Sequence, residues 1–574
     1  MKEKFIKIKS NIDIGALLLT FSLLFITLIG FFSNCFIIEP NSNARSTSFH
    51  FFIFPLSLCL SIPLYFLFKY IYKKIDILAN AASKKADFSF FNIIDKKCIK
   101  RALIILLCWL PYMIVRYPGN LDIDTQWQIA QFFDLCPKTD HHPWFDTLIF
   151  GFFWKIGQLL NSNQISILLY SLIQYLITSF VLSFSISYIE NINTPKIISK
   201  SCFIFCALFP VIPLFAQTMM KDSLFGWVWI LFLVFFTESV RTKGNVLKNN
   251  KFFCLYVFII MLLLLTKKTG IYIFIISMVF YLLLIKQNRR NTLYLIVIIL
   301  LLFTVMWSNI ILPILNVDKG ESRELFSIPS QQVAVYIKYN EYNISQKDLQ
   351  ILTKVYTNLP EMVKTYNPTR ADNTKMHWNE NSTFTDKLLF FRWLITKYFE
   401  EPELFFYTAI ANSYSLFYPD TQNQGLESLI FYYNNIPSAT NDNSDLEKTI
   451  ASFCLGHCTS NDIHELFKSS YRHPAIAELG SIFDKAYLFI IENIPLLFSK
   501  VLFTTWLPLF VFCYLIRKHN LIGILCMLPI FISWLTQFAG PIVLPRYMVP
   551  YVYHVPMLIS FLFINPDIQS KKQP

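Results

Sequence analysis

Charge is scarce in this sequence. Only 15% of its 574 residues are charged and 54% are hydrophobic, with a mean hydropathy of +0.46. That shortage excludes an ordinary soluble protein, which needs more polar surface at this size. The chain also has no Gly-rich phosphate loop, internal repeat or low-complexity tract, so nothing in it marks a nucleotide site. Paired Cys motifs of zinc-binding spacing are missing too. Most of the 12 Cys (Cys35, Cys59, Cys108, Cys202, Cys206, Cys254, Cys513, Cys526) fall inside apolar runs and read as small buried hydrophobes. The basic N-terminus, MKEKFIKIKSNIDIG, precedes an apolar run with no convincing cleavage site, so it reads as an uncleaved first span.

What is abundant is apolar sequence. Runs of about 18 residues or more recur, as membrane helices require. About twelve crossings are expected, over 14–37, 51–72, 100–116, 164–187, 197–216, 222–240, 252–267, 270–286, 292–313, 493–516, 520–538 and 546–564. The net charge of +13 could suggest nucleic acid, but Lys and Arg sit mostly in short loops, where the positive-inside rule explains them. The N-terminal lysines, the 69–101, 241–251 and 286–290 loops, Arg517-Lys518 and Lys571-Lys572 are then cytoplasmic. Both termini lie inside and the 116–144 loop outside.

Counting Thr147–Leu160 as a further span would move the 241–251 cations outside. Residues 128–162 are therefore expected to hold helices lying along the outer face. Residues 315–482 are polar, Pro-punctuated and free of long apolar runs, which predicts one mainly helical extracytoplasmic domain. The expected organisation is an all-α polytopic membrane protein in three parts. These are an N-terminal membrane module at 1–314 with a catalytic first outer loop at 116–146, the outer domain at 315–482, and C-terminal membrane helices at 483–574.

That first outer loop, RYPGNLDIDTQWQIAQFFDLCPKTDHHPW, is dense in titratable groups: Asp122, Asp124, Asp134, Asp140, His141 and His142. A carboxylate held near a membrane can have a raised pKa and take a proton from a hydroxyl. Asp122-Ile123-Asp124 also resembles a spaced pair for a divalent metal, although the same residues suit a helix N-terminus with Asp124 as cap. His141-His142-Pro143 could bind metal, orient a phosphate, or simply start a helix.

Lys221-Asp222 opens an apolar run, and charge buried in lipid costs roughly 2.5–3.5 kcal/mol per residue. Such a pair usually faces a polar cavity. Lys267, Lys268 and Arg546 are likewise expected outside, against the cation bias. A lipid phosphate would explain them, as would plain headgroup contact. In the outer domain, Ser327-Ile328-Pro329-Ser330-Gln331-Gln332 and Asn367-Pro368-Thr369-Arg370-Ala371-Asp372 read as loops that could touch a polar substrate. Cys454 and Cys458 are four apart and suit a disulfide outside the cell or idle thiols.

Tyr117-Pro118-Gly119, Asp124-Thr125 with Gln128, His141-His142-Pro143, Lys221-Asp222, Ile328-Pro329 with Gln331-Gln332, and Arg546-Tyr547 before Pro550 occur in this order on one expected side. With the many spans and the late outer domain, they resemble the GT-C superfamily of membrane glycosyltransferases. More closely, the chain looks like an uncharacterised bacterial family related to it.

The resemblance implies inverting transfer of a sugar from a polyprenyl-phosphate carrier to an envelope glycan, lipid or protein, on the outer face of the cell membrane. It implies Asp124 as the base, with Asp122, Asp140 and His142 in the catalytic group. Lys221, Lys267, Lys268 and Arg546 would hold the departing phosphate, and His141, Gln128, Asp222, Gln331, Gln332 and Tyr547 would line the substrate site. No cofactor is required by this scheme, and a divalent metal is compatible with it. Two other readings stand beside it: a polar-lipid or polysaccharide transporter, and a polysaccharide polymerase or membrane acyltransferase using His141 or His142.

Overall fold

The computed structural model describes residues 12–38, 47–81, 88–340, 344–419, 444–468 and 473–564. It is almost entirely helical. Its one sheet among the described residues pairs two-residue strands, Asn120–Leu121 and Thr218–Met219. Seven helices are long and apolar enough to cross a membrane: Ile14–Ser33, Pro55–Ala81, Lys96–Val115, Asn163–Asn191, Lys221–Arg241, Arg289–Ile314 and Leu521–Phe538. Three shorter apolar helices, Asn250–Thr266, Gly270–Leu284 and Leu502–Arg517, accompany them. This is the composition of a membrane-associated helical protein.

Those ten helices fall on ten of the expected crossings. The other two differ. The 197–216 run breaks at Pro210 into Lys196–Leu208 and Val211–Ala216. The 546–564 run divides into Val549–Tyr553 and Val555–Ser560, with Pro550 and Pro556 opening them. Proline removes a helical donor and clashes with the preceding turn, which divides both apolar runs. All of Val211–Ala216 and Val549–Tyr553 is buried.

The largest hydrophobic cluster surrounds Lys221–Arg241, whose Val228, Trp229, Phe232, Leu233 and Phe236 are fully buried. This helix is the bundle's axis, and its first two residues open into the site. Ile123–Phe132 and Trp144–Leu159, expected to lie along a membrane face, are not among the helices long and apolar enough to cross.

The later domain has its own core of Val333, Tyr336, Leu352, Tyr356, Met362, Trp378, Phe390, Trp393 and Phe405. Its helices run Ser327–Tyr339, Gln346–Val355, Leu359–Lys364, Phe384–Glu400 and Pro402–Ala411. The Ser327–Gln332 stretch, expected as a loop, is the start of the first of these helices. Pro329 is tolerated there because a helix's first turn lacks N–H acceptors anyway. Cys59 and Cys254 are exposed rather than buried, on apolar helices whose outward faces are themselves apolar.

Candidate functional site

The short strand pair decides the geography of the site. Its parallel register sets Asn120 beside Thr218 and Leu121 beside Met219. Asp122 follows one strand and Met220-Lys221-Asp222 follows the other, so both charged segments leave at the same end. Thr125 locks the junction by donating from Oγ1 to the Met219 carbonyl at 2.7 Å. Gly119 makes the approach practicable. Its φ is +131°, and a Cβ there would meet the Ser171 Oγ at 2.2 Å and the Gln217 carbonyl at 3.0 Å, so only glycine fits.

Asp122, not Asp124, is the N-cap of Ile123–Phe132, accepting from the Asp124 amide at 3.0 Å. That leaves the Asp124 side chain in the first turn, free to face outward from the helix. The Pro545–Met548 turn brings Arg546 to both acids. Its Nη1 donates to Asp122 Oδ1 at 2.9 Å and its Nη2 to Asp124 Oδ2 at 2.7 Å, while its Nε lies 3.6 Å from Asp222 Oδ2.

Lys221 Nζ lies 3.3 Å from Asp124 Oδ2 and 2.6 Å from His142 Nδ1. An ammonium can only donate, so Nδ1 accepts and His142 carries its proton on Nε2, 3.8 Å from Asp124 Oδ2. Lys267 pairs with Asp222 at 3.1 Å and sits over the Phe225 and Tyr547 rings. Lys268 and Asp140 form an outer pair at 3.6 Å, and Asp140 also accepts from the Trp144 amide at 3.0 Å, capping the next helix.

Burial and charge pull these groups apart electrostatically. Asp122 is fully buried, which pushes its carboxyl up to about 6 even with Arg546 beside it. Burial acts the same way on Asp124, but Arg546, Lys221 and His142 outweigh it and hold that carboxyl well below the usual range. His142 is held well below the ordinary imidazole value by burial and by Lys221, so it is neutral. His141 is lowered to about 4, chiefly by burial, and its ring packs against Trp127 and His142.

Among the described residues Asp122, Asp124 and Asp222 do not bring their oxygens close enough together to share one ion, and each faces a different nitrogen of the Arg546 guanidinium. A divalent cation would have to displace it.

The expected residues Asp122, Asp124, Asp140, His141, His142, Lys221, Asp222, Lys267, Lys268, Arg546 and Tyr547 are therefore brought together. Gln128, Gln331 and Gln332 are not placed in the cation cluster. Gln128 turns into the protein and donates to Thr147 Oγ1 at 2.9 Å. Gln331 donates to the Asn367 carbonyl at 2.6 Å and Gln332 to the Phe405 carbonyl at 2.9 Å, holding the later domain's interior.

That domain nevertheless frames the site. The Ala371 amide donates to the Pro541 carbonyl and Asn412 Nδ2 to the Gly540 carbonyl, which pins the loop leading to Arg546. The Asp140 amide donates to the Asp318 carbonyl on the other side.

Three features escaped the sequence. Asp146 is fully buried with no hydrogen-bond partner on either oxygen among the described residues, and burial raises its carboxyl well above the usual range. Trp127 packs on both histidines and on Phe453, so it links the acid-bearing helix to Ser444–Phe453. Third, the disulfide joins Cys136 to Cys454 across 318 residues, whereas Cys458 is free. The four-residue spacing of Cys454 and Cys458 was the wrong guide, because the fold seats Cys136 against the turn that follows the Ser444–Phe453 helix, where Cys454 sits.

Residues 135–479 match the model of a family of unknown function, DUF6020. No curated protein matches the chain, and no solved structure matches it.

Proposed function

The chain belongs to the DUF6020 family, whose function is unknown, and from that premise we propose that it is a GT-C-like membrane glycosyltransferase using a polyprenyl-phosphate sugar. The observation that carries the reading is the contact of Asp124 with Arg546 and Lys221, at 2.7 and 3.3 Å. An inverting transfer from a lipid phosphate needs two things within a few ångströms of each other. One is a base for the acceptor hydroxyl, and the other is positive charge for the phosphate that leaves.

Asp124 takes the acceptor's proton while the acceptor oxygen bonds to the anomeric carbon. The bond from that carbon to the phosphate oxygen breaks on the opposite face. Arg546, Lys221 and Lys267 receive the negative charge that develops on the phosphate. His142, neutral and held by Lys221, positions that lysine and the Asp124 carboxylate. The Cys136–Cys454 bridge suits an oxidising compartment, which favours an outer-face site.

A membrane acyltransferase would need a histidine base with a free ring nitrogen. The Nδ1 of His142 is taken by Lys221, which counts against His142 as that base and leaves His141 as the residue such a reading would use.

The test is Asp124→Asn in the native host, with mass spectrometry of envelope glycans beside parent and deletion strains. The variant is expected to insert normally and to reproduce the deletion's glycan loss. Parental glycans in the presence of inserted variant would dismiss the mechanism.

A further inference from the structure

The cations of this site are already engaged by the protein's own acids. Arg546 bridges Asp122 and Asp124, Lys221 holds Asp124, and Lys267 holds Asp222. A phosphate ester that reaches them meets no free cation, and an acceptor that reaches Asp124 meets a carboxylate masked by two cations.

We propose that the cluster is a counter-ion exchange site. In it, the phosphate of a lipid donor takes Arg546 and Lys221 away from Asp124, so the base is unmasked only when the donor is seated. This rests on the phosphate part of the function proposed above and extends it to an order of events: donor first, acceptor second.

Geometry supports the exchange. Arg546 binds its two acids through separate nitrogens, Nη1 and Nη2. The Nη2 that holds the one-fifth exposed Asp124 is the arm a phosphate can take over, while Nη1 stays on the fully buried Asp122. Lys221 sits on the first turn of its helix, one-fifth exposed, with a flexible stem that can follow an incoming anion. Asp124 is equally open, so the pair can separate towards solvent rather than into the core. The helix N-terminus at Lys221 adds a partial positive charge on the same side.

The charges make the exchange proton-linked. The groups facing Asp124 are Asp122 on its own chain segment, His142 from the turn before Trp144, Lys221 and Asp222 from the axial helix, and Arg546 with Tyr547 from the Pro545–Met548 turn. With Lys267, three acids face three cations, and His142 is neutral. Either the donor's phosphodiester monoanion or the farnesyl phosphate monoester leaves this balanced cluster negative on arrival, and the most easily protonated acid takes up a proton. That acid is Asp122, already pushed to about 6 by burial.

Before the donor binds, Arg546 and Lys221 hold the Asp124 carboxylate in ion pairs. Once the donor is bound, its own phosphate supplies the anion that frees the carboxylate.

The experiment uses the full chain in detergent, with farnesyl phosphate as the lipid phosphate and inorganic phosphate as the second arm. Binding is measured by calorimetry near neutral pH in two buffers of different ionisation enthalpy. Removing a competing carboxylate tightens anion binding, and one pKa unit of lost competition corresponds to about tenfold. D124N is expected to bind farnesyl phosphate about tenfold more tightly than the parent chain, by that arithmetic. D122N is the second variant, expected to bind more tightly as well. The parent chain is expected to take up protons on binding, and D122N is expected to lose that uptake.

Unchanged or weaker binding by both folded variants, with binding by the parent intact, overturns the exchange and leaves the phosphate reading standing. No binding by parent or variants at unchanged melting temperature overturns both. Inorganic phosphate binding as strongly as farnesyl phosphate overturns the assignment to a lipid. Tighter binding by D124N in a protein that transfers no sugar would keep the exchange and remove the glycosyltransferase.

Discussion

Arg546 lies 422 residues after Asp124 in the chain, and its Nη2 donates to the Asp124 Oδ2 at 2.7 Å. Its second terminal nitrogen reaches Asp122 at 2.9 Å, so one side chain from the last apolar segment bridges two acids of the first loop. The interaction is almost fully enclosed. Arg546 is 8% exposed and Asp122 not at all.

Arg546→Ala strips this compensation and leaves two carboxylates near each other in a dry site. Removing one member of a buried pair costs about 3–5 kcal/mol. The expected result is a clear fall in the unfolding temperature of the detergent-solubilised protein. Arg546→Lys restores charge but not the fork, so its melting temperature should fall between the two.

Asp122 predicts a pH dependence of known sign. Its carboxyl is raised from an unfolded value of about 3.9 to about 6 in the folded chain. The folded state therefore binds more protons between those values, and this residue's contribution falls as pH rises through that window. Asp122→Asn cannot ionise and keeps an acceptor for Arg546. The melting-temperature advantage of the parent over this variant should shrink from pH 4.5 to pH 7, both about the window's edges. A gap that widens with pH would reverse the assignment.

Asp146 is expected to behave as a neutral acid. Burial raises its carboxyl well above the usual range, so its contribution to stability is lost as pH rises through the folded value. Asp146→Asn should match the parent near pH 7, within about 1 kcal/mol, and hold its stability further into the alkaline range. Chemical denaturation at neutral and alkaline pH checks both points.

The Cys136–Cys454 bridge ties the first loop to the helix Ser444–Phe453, which also packs on Trp127. Cys136→Ser should lower stability by about 2–4 kcal/mol. Non-reducing peptide mapping should recover the 136–454 link, with Cys458 alkylated. A 454–458 link would contradict the arrangement.

Much of the architecture could be read directly from the chain. Long apolar runs form helices wherever they fold, because a backbone away from water must bond to itself. The polar block after 314 could not join them, and it forms its own core around Trp378 and Phe390. Local pattern misled where a local feature had two uses. The apolar runs at 197–216 and 546–564 read as continuous spans, yet their prolines divide them into short helices, of which Val211–Ala216 and Val549–Tyr553 are wholly buried. Gln331 and Gln332 looked like substrate contacts, yet each satisfies a backbone carbonyl in a packed interior.

By itself, the sequence determined which residues carry unusual charge. An acid such as Asp124 or a cation such as Arg546 stands out against apolar surroundings because burying charge is expensive. Partnership is another matter. Whether Arg546 meets Asp124, whether Cys136 meets Cys454, and that Asp122 rather than Asp124 caps the helix were decided only by the tertiary structure. Coulomb attraction and disulfide bonding act over a few ångströms, and residues hundreds of positions apart come that close only after the two-residue strand register and the buried axial helix have placed them.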